Sequence, residues 1–348
     1  MQFTGKGVKP IVHRAWTGSP IILPHNGLIL DPREMPALQR VENLNDTIIT
    51  SSGDTLLGAD DKSGVAALFA VARRLLELPA EERGATVEFV FNTDEEIGLR
   101  SASKLEYLLP NVVAGYTFDG ETFGQVDVET WHAEGCELKV QGVSVHPGYA
   151  TGKMVNAAAL LSQFVAVVHA RAEADESVGT PRTTKDRNGF LHFTHLHGDV
   201  SVGLASFILR DFDAAGVALR RAVVEGALHE VEAAAPPEAE FNLTCSTTYK
   251  NMKSYLDEKP LVVARAVEAV KRATGVDVVN LGAIRGGTDG SVLTLRGKPT
   301  PNIFAGWHEA HGPKEWASMK EMVWAAETAL HLLALWADGE NSRAKPEL

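Results

Sequence analysis

The chain has 348 residues, of which 45% are hydrophobic and 22% charged, a composition typical of a globular protein of about two domains. Its formal net charge of −12 argues against nucleic acid and anionic membranes as partners and favours a small molecule or a peptide. No apolar run is long enough to span a bilayer, and the first residues lack the apolar core of a signal peptide. The two cysteines, Cys136 and Cys245, imply no disulfide framework, so a cytoplasmic protein is predicted.

The first part of the chain predicts strands alternating with helices. Residues 1–57 are short apolar pieces broken by Gly, Pro and Asn, which indicate loops and short strands. A helix is predicted from Lys62 to Pro79. Its apolar face carries Val65, Leu68, Phe69, Ala72, Leu75 and Leu76. Strands are predicted at 86–91 and 116–118, each followed by carboxylates, as expected for a mostly parallel sheet with ligands at the strand ends.

The pattern changes near Trp131 and changes back near Asn251. Between them, helices are predicted to start near Met154 and Ala214. The strand-like stretches of this part are 137–145, 191–194, 205–210 and 240–246. After it come a helix at 261–273, a strand reaching Ile284, a strand at 302–304 and a final helix. That helix is predicted to present Met319, Val323, Ala326, Leu330 and Leu333 on one face. The sequence therefore predicts an α/β domain formed by residues 1–130 and 253–348, with an α+β insertion at 131–252.

Four segments place ligand-type residues where a strand should give way to a turn. They are Gly58-Ala-Asp60-Asp61-Lys62, Asn92-Thr-Asp-Glu95-Glu96-Ile-Gly98, Asp119-Gly120 and Ala310-His311-Gly312. Carboxylates and an imidazole from separate strand ends can converge on a divalent metal, and zinc accepts both kinds of ligand.

Each segment alone also has an ordinary interpretation. Asp60 or Asp61 could cap the following helix, and Glu95 and Glu96 could be solvated loop residues. A His or an Asp next to Gly is common in turns. Their occurrence at successive strand ends favours the metal site.

Seven motifs in this order resemble peptidase T, the tripeptide aminopeptidase branch of the M20 metallopeptidases. The motifs are Leu57-Gly-Ala-Asp-Asp-Lys-Ser-Gly64, Thr93-Asp-Glu-Glu-Ile-Gly98, Tyr116-Thr-Phe-Asp-Gly120, Ser144-Val-His-Pro-Gly148, Arg210-Asp-Phe-Asp213, Arg285-Gly-Gly-Thr-Asp-Gly290 and His311-Gly312. The resemblance extends from about Phe3 to about Trp336. It implies a zinc peptidase fold and release of the N-terminal residue from short peptides, most plausibly tripeptides.

The resemblance also implies a role for each matched residue. Asp60 corresponds to the carboxylate that bridges two zinc ions. Glu96 and His311 correspond to the other ligands of one zinc, and Asp119 to a ligand of its neighbour. Glu95 corresponds to the general base, which takes a proton from water and passes it to the leaving amine.

The inserted domain resembles a lid that also forms a dimer contact, so a homodimer is implied. His146 would reach the developing oxyanion of the substrate. Arg210 would bind a peptide carboxylate, or it could instead pair with Asp211 or Asp213. Arg285 is expected to line the pocket, with the following glycines allowing close backbone approach.

Three histidines of the insertion look like a metal-binding group but are expected to be surface residues. With a two-residue strand period, His195 and His197 share one face and His192 points away.

One family motif is missing. Peptidase T carries a His-x-Asp-Thr segment before the Asp-Asp-Lys motif, and its His completes the zinc bound by Asp119. Here the residues from Phe3 resemble the stretch just after that segment, and neither His13 nor His25 has the His-x-Asp spacing. A weaker second zinc site and lower stability are therefore expected.

Several explanations of this departure remain open. The sequence given could begin too far downstream, the chain could be truncated and inactive, or it could be a binding module. Another M20 activity, a dipeptidase or an amidohydrolase, is the alternative among enzymes.

Overall fold

The computed structural model describes residues 4–79, 83, 86–105 and 109–343. Its helices are α1 Pro36–Val41, α2 Ala59–Glu77, α3 Ala102–Leu105, α4 Ala157–Ala174, α5 Ala214–Ala234, α6 Lys253–Asp257, α7 Pro260–Thr274, α8 Asp289–Leu295 and α9 Met319–Arg343. Its strands are β1 Ile11–Trp16, β2 Ile21–Ile22, β3 Ile29–Leu30, β4 Asp46–Thr50, β5 Thr117–Gly120, β6 Val126–Glu129, β7 His132–Gln141, β8 Phe190–Gly198, β9 Val202–Asp211, β10 Glu240–Tyr249, β11 Leu281–Ala283, β12 Asn302–Phe304, β13 Trp307–His308 and β14 Trp316–Ser318. None of the described helices is long and apolar enough to cross a membrane.

The chain forms two compact units. The first comprises Met1–Val128, Ser254–Ala283 and Thr288–Leu348, and the second comprises Glu129–Lys253 and Ile284–Gly287. The mixed α/β fold class predicted from the sequence is confirmed.

Two four-stranded sheets form the frame of the first unit. One has the order β1-β4-β14-β13 and is antiparallel throughout. The other has the order β11-β6-β12-β5, in which β12 runs parallel to β5 and antiparallel to β6. The sheets are thus mixed and antiparallel rather than mostly parallel. All three residues of β12 are buried, so this strand lies at the centre of the first unit's core.

Two expectations about the first unit are wrong. Residues 86–91 form no strand, since they pair with no other strand in the described part of the chain. In α2 the small residues Gly64 and Ala67 face the core, while Phe69 is exposed and stacks on Phe91 with ring centroids 4.8 Å apart. Apolar periodicity identified the large-residue face of the helix, but the sheet packs against the small-residue face.

The last helix shows a similar offset between the predicted and the observed face. Met319 and Val323 are exposed, and the buried side of α9 carries Glu321, Ala325, Thr328, Ala329 and Leu332. Polar residues occur on that side because Glu321 accepts hydrogen bonds from His308 and Arg40, which satisfies a buried carboxylate. Hydrophobicity alone therefore could not locate the core-facing side.

The second unit is an antiparallel sheet covered by two helices. The strand order is β10-β7-β9-β8. Residues of α4 and α5, such as Phe164 and Val224, are fully buried against the inward side chains of the sheet, such as Leu138 and Phe207.

The two cysteines correct the sequence-based expectation. Cys136 of β7 and Cys245 of β10 lie directly opposite each other in the strand register and form a disulfide. They are 109 positions apart in the sequence, so only the pairing of these two strands brings them together. Two cysteines were therefore enough for a cross-strand bridge.

A β-bulge in β8 corrects the expected orientation of the histidines. Phe193 pairs with Phe207, but the next pair is His195 with Ser206, so Thr194 is the extra residue. The extra residue shifts the alternation by one position. His192, His195 and His197 consequently share one face of the sheet, as shown by their partners Ile208, Ser206 and Leu204 at every second position of β9.

Candidate metal centre

Three of the predicted ligands meet in the first unit. His311 Nε2 lies 3.2 Å from Asp60 Oδ2 and 3.0 Å from Glu96 Oε2. In the described part of the chain, this is the only group of three or more His, Cys, Asp or Glu residues whose ligand atoms lie within 4.8 Å of one another. Burial alone would lower the pKa of His311, but the charges of Glu96 and Asp60 and the hydrogen bonds to them raise it.

A buried glutamate holds the Asp60 loop in place. Glu315 accepts hydrogen bonds from the backbone N–H groups of Leu57 and Gly58, both at 2.7 Å, and of Asp60 at 3.0 Å. Glu315 lies between the turn that carries His311 and β14, so one side chain links two of the segments that carry ligands.

Asp60 and Asp61 have different surroundings. The Asp61 carboxylate accepts the backbone N–H of Gly64 at 3.1 Å, so Asp61 fulfils the capping role that the sequence allowed for either residue. Asp60 turns towards Glu96 and His311 instead. Burial and the charge of Glu96 raise the pKa of Asp60 to about 6.

Asp119 lies next to Asp60 at the end of β5. Its backbone N–H donates to Asn302 Oδ1 of the buried neighbouring strand at 3.2 Å, and its side chain is hydrogen-bonded to that of Asp60. Asp119 Oδ1 is buried and has no hydrogen-bond partner. Burial, together with the charges of Asp61 and Asp60, raises the pKa of Asp119 well above its ordinary range.

Glu95 stands beside the ligand cluster without joining it. No hydrogen bond holds its carboxylate in the described part of the chain, and burial followed by the charges of Asp289, Glu96 and Asp60 raises its pKa to about 7. A carboxyl group with such a pKa can both accept and donate a proton near neutral pH.

The loop that carries Glu95 and Glu96 is anchored to α8. Asn92 Nδ2 donates to Asp289 Oδ2 at 2.5 Å and to Ser101 Oγ at 2.9 Å. Within the loop, the backbone N–H groups of Gly98 and Leu99 donate to the carbonyl of Glu95. This turn orients the side chains of Glu95 and Glu96 differently although they are adjacent.

The donor set and its electrostatics fit a divalent cation. Asp60, Asp119 and Glu95 all have raised pKa values, first because the three carboxyl groups are buried and then because neighbouring negative charges oppose their ionisation. A cation would relieve this repulsion and give a partner to Asp119 Oδ1, the buried oxygen that lacks one. Oxygen ligands with one imidazole suit zinc.

Comparisons with known proteins identify the family of the chain. The model of the peptidase family M20/M25/M40 matches residues 56–335, which is most of the chain. The chain belongs to this peptidase family. A curated relative, Peptidase T of Bacillus pumilus, is 35% identical over 337 residues, covering 97% of this chain and 79% of the relative.

Two solved structures share the fold of this M20-family peptidase. An aminopeptidase, PepT, from Bacillus cereus has a TM-score of 0.62 at 22% identity, covering 82% of this chain and 73% of that one. A tripeptidase from Staphylococcus aureus has a TM-score of 0.65 at 21% identity, covering 84% and 74%.

The other predicted site residues of this peptidase lie in the second unit. His146 is exposed and its Nδ1 accepts the backbone N–H of Gly148 at 3.1 Å, so its Nε2 remains available. Arg210 donates to the carbonyls of Glu134 and Leu209 and lies over the ring of Tyr249. Within the described residues, no ion pair joins Arg210 to Asp211 or Asp213, and Asp211 pairs with Arg220 instead.

Arg285 has local backbone partners as well. Its guanidinium donates to the carbonyls of Asp186 at 2.7 Å and Asn188 at 3.0 Å, and it lies over the ring of Trp131. These contacts fix a loop of the second unit, so any contact with a substrate would use its remaining N–H groups.

Neither early histidine belongs to the cluster. His13 Nε2 lies 3.0 Å from Thr50 Oγ1, and His25 lies 3.9 Å from Asp54. Sequence reasoning missed Glu315, Asp289 and Asn302, which support the cluster from behind. The only sequence signal was position: Glu315 follows His311 by four residues, and Asp289 lies inside a motif that was noted without a role.

Proposed function

We propose that this M20-family peptidase is a zinc-dependent aminopeptidase that releases the N-terminal residue from short peptides, preferentially tripeptides. The observation that carries the proposal is the convergence of Asp60, Glu96 and His311 beside a carboxyl group, Glu95, with a pKa of about 7. The aminopeptidase activity is supported by the name of one solved structure, an aminopeptidase, and the tripeptide preference by that of the other, a tripeptidase.

Asp60, Glu96 and His311 would hold one zinc ion, and Asp60 with Asp119 would hold a second one more weakly. When bound, zinc supplies a Lewis acid that polarises the peptide carbonyl and makes water more acidic. Asp60 is suited to contact both zinc ions, because its side chain contacts His311, a ligand of the first ion, and Asp119, a ligand of the second.

Glu95 would move the proton. Its carboxylate, which is free of hydrogen bonds in the described part of the chain, accepts a proton from the attacking water and returns it to the leaving amine. In the metal-free chain, burial is the largest cause of the raised pKa of Glu95, and the neighbouring negative charges add to it. Glu96 differs because it points towards His311 and Asp60.

We also propose a role for the inserted domain, an oligomeric state and a location in the cell. Residues 131–252 would act as a lid for the catalytic domain that residues 1–130 and 253–348 form. His146 of this lid would offer its Nε2 to the oxyanion of the substrate. Arg210 and Arg285 would contribute to peptide binding through the N–H groups that the backbone carbonyls leave unused. A homodimer through the lid completes the proposal. A cytoplasmic location is proposed on the resemblance to peptidase T alone, because the disulfide of Cys136 and Cys245 removes the support that unpaired cysteines would give.

The direct test is hydrolysis of a set of peptides by the chain purified with zinc. Release of the N-terminal residue from an unblocked tripeptide should be faster than from the matching dipeptide or tetrapeptide, and the N-acetylated tripeptide should be inert. Cleavage of the blocked peptide would indicate an amidohydrolase, and a preference for the dipeptide would indicate a dipeptidase. Peptide binding without turnover, unchanged in Glu95→Gln, would indicate a binding module.

Counting bound zinc separates the two proposed positions. One tightly bound ion per chain is expected, with a second ion of lower affinity, because only Asp60 and Asp119 are identified as ligands on that side. Two ions of equal affinity would mean that another residue completes the second position.

A further inference from the structure

A buried group of charged side chains lies beside the turn that carries His311. The carboxylate of Glu321, on α9, is fully buried. Its Oε2 accepts a hydrogen bond from His308 Nε2 at 2.6 Å, and its Oε1 accepts one from Arg40 Nη2 at 2.6 Å. The ring of His308 is also buried and stacks on that of Trp316, with ring centroids 4.2 Å apart. The proposed peptidase reaction gives this group no role.

Glu321 keeps its charge despite its burial. Burial alone would raise the pKa of its carboxyl group, but the hydrogen bonds and charges of His308 and Arg40 lower it. Hydrogen bonds to an ionised carboxylate are shorter and stronger than those between neutral groups. Glu321 is therefore a firm attachment point in the core of the first unit.

His308 connects this attachment point to the candidate metal centre along the chain. It pairs with Trp316 across β13 and β14, and the residues between the two form a turn. The turn contains the predicted ligand His311 and also Glu315, whose carboxylate holds the Asp60 loop. A shift of this strand pair would therefore move two groups of the centre at once.

The backbone of the turn has a conformation that needs support. Glu309 and His311 have φ values of 56° and 62°, in the left-handed region that residues with a Cβ atom rarely adopt. Glu309 N–H donates to Glu121 Oε1 at 3.2 Å. Residues in such conformations persist where the surrounding structure fixes them. The direction of the His311 ring therefore depends on how firmly the two ends of the turn are held.

We propose that the hydrogen bond between His308 and Glu321 positions the metal ligand His311, by fixing β13 and with it the turn. His308 and Glu321 are positioning residues, since neither is among the ligand residues that meet in the centre. The other end of the turn is fixed at β14, where Ser318 Oγ donates to the buried carboxylate of Asp46 at 2.5 Å. This inference rests on the proposed function only in that the centre binds zinc.

The alternative is a group that stabilises the fold and has no effect on the metal. Breaking a buried ion pair or hydrogen-bonded charge pair destabilises a protein, because the remaining charge is left buried without a partner. A lower Tm alone therefore does not distinguish the two roles. Only a positioning role predicts that the metal site itself changes in chains that are still folded.

Two variants of the untagged full chain remove the contact and one retains it. His308→Phe keeps a ring beside Trp316 but lacks the N–H that Glu321 accepts. His308→Asn has an amide too short to reach Glu321, and it keeps the test valid if His308→Phe does not fold. His308→Gln is one carbon longer than the asparagine variant, so its N–H can take the place of the imidazole N–H.

Arg220→Gln is the matched control for stability. It breaks another buried ion pair, in which Arg220 Nη1 lies 2.6 Å from Asp211 Oδ2, and this pair belongs to the second unit. The Tm of the metal-free chain should therefore fall in this variant while the metal centre of the first unit stays unaltered.

Zinc affinity is measured by competition with a chelator, at a temperature at which all variants are folded. The Kd should rise about 10–100-fold in His308→Phe and in His308→Asn, as it does when other groups that orient ligands are lost. It should stay near the wild-type value in His308→Gln and in Arg220→Gln.

The visible spectrum of Co²⁺ bound in place of zinc is the second readout, because it reports the geometry of the ligands and not the stability of the chain. At saturating Co²⁺ the spectrum should change in His308→Phe and match the wild type in His308→Gln and Arg220→Gln. Wild-type zinc affinity and a wild-type cobalt spectrum in His308→Phe and His308→Asn would overturn the inference. An equal loss of zinc affinity in Arg220→Gln would overturn it as well, because lower stability would then explain the effect.

Neither readout uses a peptide, so the two proposals can fail separately. A chain that binds zinc but cleaves no peptide would contradict the proposed function and leave the positioning role intact. An active peptidase whose metal site is unaltered in His308→Phe would contradict the positioning role alone. A wild-type chain that binds no zinc at the centre would contradict both.

Discussion

Two pairs of adjacent acidic residues show how neighbours acquire different chemistry. Asp61 accepts a helix N–H while Asp60 contacts His311. Glu96 contacts His311, while the carboxylate of Glu95 has no hydrogen-bond partner in the described part of the chain. In both pairs the backbone turn decides which carboxylate meets the cluster. The sequence resemblance implied different roles for the members of each pair, and the structure gives them different surroundings.

Replacing Glu95 by Gln should separate chemistry from metal binding. The amide keeps the shape of the side chain but cannot take up a proton, so kcat for tripeptide hydrolysis should fall about 10²–10⁴-fold. Bound zinc, measured by elemental analysis, should stay at the wild-type level because Glu95 is not in the ligand cluster. Glu327→Gln, an exposed glutamate of α9, is the control and should retain full activity. Activity retained in Glu95→Gln would exclude Glu95 as the base.

Glu315 is expected to position the Asp60 loop without touching the substrate. In Glu315→Gln one of the three backbone N–H groups loses its acceptor, since an amide has a single carbonyl oxygen. Zinc affinity should fall about 10–100-fold, as for other groups that orient ligands. Competition with a zinc chelator gives the affinity, and saturating zinc should restore most of the activity. Wild-type affinity in this variant would mean that other contacts hold the loop.

At the scale of elements, the sequence predicted where most helices and strands lie but not which side of each one is directed towards the core. The short strand at 302–304 and the helix from Ala214 were predicted closely, because turn residues and apolar runs mark their ends. The orientation of α2 was wrong because its sheet packs against small residues, and the face of β8 was wrong because a single extra residue reversed its alternation.

The candidate site was predictable only as far as its motifs extend. Asp60, Glu95, Glu96, Asp119 and His311 stand in short polar runs that interrupt apolar stretches, so a local pattern is visible in the sequence. The groups behind them are isolated in the sequence: Asn302 meets the backbone of Asp119 from 183 positions away, and Asn92 meets Asp289 from 197. Such contacts exist only once the strands have paired.

The close packing of α2 against β5 can be tested at Gly64. A Cβ atom there would lie 2.0 Å from the carbonyl oxygen of Phe118 and 2.5 Å from an Asp61 carboxylate oxygen. Gly64→Ala should therefore destabilise the chain by about 1–3 kcal/mol, the usual cost of overpacking. Calorimetric unfolding should show this as a lower Tm.

A helical glycine of the second unit provides the matched control. At Gly226 in α5, the nearest atom to an added Cβ is Arg171 Nη1 at 3.5 Å, an ordinary contact. Gly226→Ala should stabilise by about 0.5–1 kcal/mol, because alanine loses less backbone entropy in a helix. If both variants changed Tm in the same way, the close approach at Gly64 would not determine the stability of the chain.

At the scale of the whole molecule, the carboxylate cluster couples stability to pH. The pKa of Glu95 rises from an ordinary 4.5 to about 7, and that of Asp60 from 3.8 to about 6, so the folded chain holds protons that the unfolded chain has released. The pKa of His311 is raised too, which acts in the same direction. Stability from all three groups is present at low pH and is lost as pH rises through the folded pKa values.

This linkage predicts that metal-free protein becomes less stable between about pH 5 and pH 7.5, with Tm measured by calorimetry in the presence of a chelator. Zinc should raise Tm more at pH 7.5 than at pH 5, because ionised carboxylates bind the ion and protonated ones compete with it. Asp60→Asn should weaken both effects, since it removes one of the mutually repelling charges, while Glu327→Gln on the exposed side of α9 should leave them intact. A Tm of the metal-free chain that rises over this range would mean that the cluster does not hold its protons in the folded state.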